Sequence, residues 1–202
     1  MKRLTWTCSL MVLLTAGIIL AQSVAPAGSA SPTTQASGAI ETLMKIRSLM
    51  ARPRAKTAVE YINKLKQSRQ QVLALLEEME QKYPNSKELN EARLHGIMAT
   101  MELGRATHDP KMGIKAEKIA QKVLASNAQP FLKLNADAYT VLLKIRPIRS
   151  SATQPAKPID DATARKTILD FTKRYKDTKV GLDALVIGLQ LADIQGLDTL
   201  IK

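Results

Sequence analysis

Tyr83-Pro84-Asn85-Ser86-Lys87, followed by Ala92, Gly96 and Gly104, returns 92 residues later as Tyr175-Lys176-Asp177-Thr178-Lys179, followed by Ala184, Gly188 and Gly196. Each copy reads as an amphipathic helix ending in an aromatic residue, a short polar turn with a capping hydroxyl or carboxylate, and a second helix with small residues at fixed places. The pattern is a helical hairpin, and its repetition in register predicts a chain assembled from such hairpins.

Around the first copy, the spacing predicts a long helix over 54–82. Ile62, Leu65, Val72, Leu76, Met79 and Tyr83 fall on three- and four-residue steps, broken once by Arg69. Asn85 or Ser86 then caps the next helix, and Asn85 with Glu88 has capping-box spacing. Leu89, Ala92, Ile97, Met101 and Leu103 carry that helix to Gly104. Upstream, Ile40, Leu43, Met44, Ile46 and Met50 predict an N-terminal helix stopped by Pro53. Arg47, Arg52, Arg54 and Lys56 gather at its end, where cations suit the helix macrodipole.

A second hairpin spans 109–146. Asp109-Pro110 is a cap followed by Pro in the first turn, Ile114, Ile119, Ala120, Val123 and Leu124 form the inner face, and residues 127–130 turn the chain. Phe131, Leu134, Ala138, Leu142 and Ile145 continue to Pro147, and residues 147–159 read as an exposed loop. The third hairpin, 160–196, opens on an Asp160-Asp161 cap and buries Ala164, Ile168 and Phe171. Its last helix carries Leu182, Leu185, Val186, Ile187, Leu189 and Leu191 around nearly its whole circumference, which predicts burial on two sides. One side meets the preceding helix. The other is expected to be covered by a second copy of the chain or by sequence continuing past Lys202.

The N-terminus belongs to a different kind of segment. Lys2 and Arg3 precede an apolar run over 10–21 and small residues through Ala30, the layout of a secretory signal peptide. The run is shorter than the ~20 residues that span a bilayer, so cleavage after Ala30, Ala27 or Ala21 is expected rather than an uncleaved anchor, leaving no membrane span. Residues 31–37 then read as a flexible leader, uncharged and poor in apolar side chains. Cleavage removes the sole Cys, Cys8, and the sole Trp, Trp6. A mature chain without thiols is held by packing alone, whatever the redox state of its compartment. Aromatic content of 3% and few period-two segments favour an all-α fold over any sheet.

The segment from Leu76 to Gly104 and its echo from Ile168 to Gly196 resemble bacterial periplasmic tetratricopeptide-like repeats, carried by Tyr83, Pro84, Ser86, Ala92 and Gly96 and by Tyr175, Thr178, Ala184 and Gly188. Lys176 stands in the second copy where the first has Pro84. The resemblance implies an all-α, TPR-like α-solenoid of about three hairpins plus an N-terminal helix, over 38–202, that binds peptides or proteins. The chain is also similar to the helical segment ahead of thioredoxin-like domains in exported bacterial proteins, which implies an alternative: an accessory helical domain, truncated or diverged, without the catalytic part.

Charge adds a possible partner. Lys+Arg 30 against Asp+Glu 18 give +12, and loss of Lys2 and Arg3 leaves 28 against 18, or +10. Lys111, Lys115, Lys118 and Lys122 form one stripe at i, i+4, i+7 and i+11. A solvated helix face explains such a stripe, and so does a surface for an anionic partner: cell-wall polymer, lipid headgroups or an acidic protein. Nucleic acid is disfavoured by export and by scarce aromatics.

Signals for chemistry are few. His95 shares helical spacing with Glu91 and Glu102, as metal ligands would, but a surface histidine in an ion-pair cluster explains the same spacing. His108-Asp109 reads as a helix boundary, and Asp160-Asp161 lacks the further ligands of a calcium loop. No catalytic residue, metal or cofactor is expected. The reading is an exported, periplasmic or extracellular, non-enzymatic protein-binding or scaffolding module, able to self-associate through 182–196.

Overall fold

The computed structural model describes residues 34–151 and 159–197. The expected signal peptide over 1–30, the first part of the leader, residues 152–158 of the expected loop and residues 198–202 lie outside the described residues. Among the described residues there are seven α-helices and no strand: α1 Thr34–Met50, α2 Ala58–Lys82, α3 Leu89–Thr107, α4 Lys111–Ala125, α5 Pro130–Ile145, α6 Asp161–Tyr175 and α7 Gly181–Gln195. The fold is all-α with helical hairpins, as the repeat predicts. The helices divide between two compact units, α1–α5 in one and α6–α7 in the other.

In the five-helix unit, α3 is the central element and packs against α1, α2, α4 and α5. Every residue over 94–101 is buried, including His95 and Thr100. Enclosure on all sides needs small residues as well as large ones. Gly96 lets α2 approach so closely that a Cβ there would strike Leu76, and the Thr100 hydroxyl donates to the Gly96 carbonyl at 2.7 Å, so its polar atom is satisfied inside the helix. α5 is enclosed in the same way, with all residues over 134–142 buried.

Four details depart from the sequence reading. Residues 34–37 of the expected leader are helical rather than irregular, because α1 already begins at Thr34. Gly38 lies against the Tyr83 ring, where a Cβ would collide, and this contact holds the first turns of α1. Only Ala39, Leu43 and Ile46 of that helix are fully inward, while Ile40 and Met44 are exposed. α2 starts at Ala58 rather than 54, because Thr57 is its cap. The Thr57 hydroxyl accepts from the Glu60 amide at 3.1 Å and the Glu60 carboxylate accepts from the Lys56 amide at 2.8 Å, a reciprocal capping arrangement.

The third departure concerns the α2 seam. It runs through Arg69, Val72, Leu73, Leu76 and Met79, so Arg69 belongs to it rather than breaking it, whereas Val59 and Ile62 in the first turns are exposed. The fourth is α4. Asp109 caps it as expected, its carboxylate accepting from the Lys111 amide at 2.9 Å, and Ala116, Ile119, Ala120 and Val123 are buried. Ile114, placed on the inner face by the sequence, is 59% exposed.

In the two-helix unit, Ala164, Ile168 and Phe171 of α6 are buried, as are Ala184, Ile187, Gly188, Leu191 and Ala192 of α7. Gly188 permits close contact with Thr172. The rings of Phe171 and Tyr175 lie 5.5 Å apart, and Gly196, at φ 77°, ends α7 in the left-handed conformation that glycine adopts without strain. Burial of α7 on both sides is not observed: Leu182, Leu185, Val186 and Leu189 are 76, 49, 46 and 55% exposed. The residues that make this helix apolar all round therefore leave an open face.

Candidate functional site

The two copies of the repeat phrase form the same corner, each within its own unit. The Ser86 amide donates to the Tyr83 carbonyl, Leu89 to Ser86 and Ala92 to Glu88; 92 positions on, Thr178 donates to Tyr175, Gly181 to Thr178 and Ala184 to Val180. The Asn85–Glu88 capping box is replaced by a different arrangement. Ser86 Oγ accepts from the Glu88 amide at 3.1 Å and donates to the Glu88 carboxylate at 2.8 Å. Gly96 and Gly188 are both close-approach positions against the preceding helix. Gly104 and Gly196 are not equivalent: Gly104 sits inside α3 against Met112 and Ile148, and Gly196 terminates α7.

The proposed His95 cluster does not converge. His95 is buried, not a surface residue, and its Nε2 lies 3.7 Å from Glu91, within ion-pair range but beyond a hydrogen bond. Arg47 of α1 donates from Nε and Nη2 to the same Glu91 oxygen at 2.8 and 2.6 Å. Burial pushes the Glu91 carboxyl up, but His95 and Arg47 outweigh it and hold the group below its ordinary value. Glu102 points elsewhere. Among the described residues no group of His, Cys, Asp or Glu is placed to hold a metal ion.

Glu102 accepts from Arg69 Nε, and the rest of that guanidinium donates to the carbonyls of Leu49 and Met50 at the end of α1. Arg69 is 2% exposed. A buried cation persists only when its donors are filled, and here a helix terminus with unpaired carbonyls supplies the acceptors. Beyond Glu102 lies Tyr139 of α5, fully buried with no hydrogen-bond partner for its hydroxyl. Burial raises its pKa and the Glu102 carboxylate adds to the rise. One turn along α3, Arg105 is exposed. The sequence marks Arg69 only as an interruption of an apolar seam and Glu102 only by its helical spacing from His95; nothing local singles out Tyr139 or Arg105.

The lysine stripe is present. Lys111, Lys115, Lys118 and Lys122 are all exposed on α4. Lys122 is engaged, donating to Glu80 at 2.7 Å, and Arg93 donates to the other oxygen of Glu80 at 3.0 Å. Burial raises the Glu80 pKa, while Lys122 and Arg93 together bring it below the ordinary value. The other three lysines have no acidic partner among the described residues. A groove of about 400 Å³ between α1 and α2 is lined by Lys45, Ser48, Leu49, Gln71, Ala74 and Leu75.

No helix among the described residues is long and apolar enough to cross a membrane. No protein-family model, curated protein or solved structure matches the chain.

Proposed function

We propose that the chain is an exported, non-enzymatic helical-repeat module of TPR-like kind that binds a protein or peptide through α7. The observation that carries this reading is the open apolar face of Leu182, Leu185, Val186 and Leu189. Their i, i+3, i+4 and i+7 spacing is that of a face laid against a partner helix. A second copy of the chain meets the requirement directly, since one apolar stripe is self-complementary about a two-fold axis. The polar clusters support a binding role rather than a reactive one, because their side chains join helices: Arg69 to Glu102 and the end of α1, Arg47 to Glu91, and Glu80 to Arg93 and Lys122. The unpaired lysines of α4 provide a contact for an anionic component of the cell envelope.

Sedimentation of the wild-type chain and of a Leu185→Glu/Leu189→Glu variant tests this. The expected result is concentration-dependent association, or capture of one protein from exported extract, lost in a variant whose helical circular dichroism is unchanged. A wild-type chain that stays monomeric and captures nothing overturns the reading.

A further inference from the structure

The basic charge of the five-helix unit is concentrated at one end. Short connections make successive helices antiparallel, so the α1–α2 connection, the C-terminus of α3, the N-terminus of α4 and the C-terminus of α5 share that end. The connection over 51–57 carries Arg52, Arg54 and Lys56 and no acid, and the stretch 144–151 carries Lys144, Arg146 and Arg149 and no acid. Lys111 and Lys115 begin α4 beside them. Asp109, the acid of the third connection, is engaged as a helix cap, and Glu60 is taken by Lys64 and the Lys56 amide. At the opposite end, the connections over 83–88 and 126–129 hold one lysine and one glutamate between them, and α2 closes with Glu77, Glu78 and Glu80 against Lys82.

The cationic end also carries apolar side chains in water. Val59 and Ile62 in the first turns of α2 and Ile114 in the first turn of α4 are 69, 40 and 59% exposed. The sequence reading placed Ile62 and Ile114 inside. Exposed apolar side chains at the same end as a group of Lys and Arg are what a peripheral protein presents to an anionic bilayer: the cations meet the headgroups and the apolar side chains enter the interface.

We propose that this end of the five-helix unit docks on an anionic phospholipid surface, with Val59, Ile62 and Ile114 inserted and the cations of 51–57 and 144–151 meeting the lipid phosphates. A soluble polyanion would use the cations but has no need of the apolar side chains. The proposal rests on the reading that the charge serves an anionic envelope partner, and it is separate from docking at α7.

The test is sedimentation of the chain with vesicles of phosphatidylcholine alone and with phosphatidylglycerol mixed in, and with heparin as a soluble polyanion. Binding to the anionic vesicles only is expected. An Arg52→Gln/Arg54→Gln/Lys56→Gln variant should bind them roughly a hundredfold more weakly, and a Val59→Ser/Ile114→Ser variant about tenfold more weakly while keeping its heparin affinity. These substitutions are at exposed positions, and circular dichroism verifies that the variants are folded. Equal binding to neutral vesicles, or vesicle binding indifferent to both variants, overturns the proposal. Heparin binding without vesicle binding overturns it but leaves an anionic partner standing; binding to neither removes both.

Discussion

The hydroxyls of Ser86 and Thr178, 92 positions apart, make the same bond: each accepts from the backbone amide two residues on, Glu88 at 3.1 Å and Val180 at 3.3 Å. Each also lies three residues past a tyrosine whose carbonyl receives its amide. The turn is thereby closed from the side chain and from the backbone, and the chain re-enters a helix in the register that brings Ala92 and Ala184 to fully buried positions.

Ser86→Ala and Thr178→Ala are each expected to lower stability by about 1 kcal/mol, with the larger loss at Ser86. Both hydroxyls make a second bond, Ser86 to the Glu88 carboxylate and Thr178 to the Tyr175 carbonyl, but Ser86 is half-buried whereas Thr178 is exposed. Urea titrations of the single variants measure this; no loss at either site would mean the hydroxyls do not hold the corners.

Arg69→Ala should cost about 3–5 kcal/mol, because it strands the Glu102 carboxylate beside Tyr139 and unpairs the last carbonyls of α1. Adding Glu102→Leu should recover part of the loss by removing the stranded charge. A double variant no better than the single one in chemical denaturation would show that Arg69 acts through the carbonyls alone.

Gly96→Ala sets a gain in helix propensity of about 1 kcal/mol against a collision with Leu76. Because Leu76 is itself buried, it cannot swing aside, and a net loss of about 1–2 kcal/mol is expected. Thermal melts decide the sign.

The acid limb of stability is expected to depend on Glu91. Its folded carboxyl lies below the ordinary value of 4.5, so it contributes stability that is present above about pH 4.5 and is lost as pH falls through the folded value. Glu91→Gln should therefore be less stable than wild type at neutral pH, with the two converging at acid pH once the folded carboxyl is protonated. Urea midpoints at both pH values check this; parallel curves would assign the acid loss to other groups.

Much of the fold was legible because its signals are local. The Tyr-to-Ser and Tyr-to-Thr corners and the Asp109 cap each depend on a few neighbouring residues, and all appear where the sequence places them. What misled was the inference from apolar content to burial. Residues 182–194 are apolar on nearly every side and yet α7 is half open, while residues 94–101, with His95, Gly96 and Thr100 among them, are enclosed completely. Enclosure depends on how many neighbours topology brings to a helix, and a helical-wheel pattern does not contain that number. Arg69 shows the same limit: it looks like an interruption until the end of α1, twenty residues away in sequence, is seen to need its donors.

The position of α3 has a bearing on how the chain tolerates shortening. In a linear row of hairpins each unit touches only the next, so a terminal unit can be deleted and the remainder survives. α3 has four neighbours, two before it and two after it in the chain. A chain truncated at Thr107 would leave its inner helix with half its surroundings missing, so the first five helices are expected to stand or fall as a block, and a nascent chain has no stable resting point until α5 has emerged.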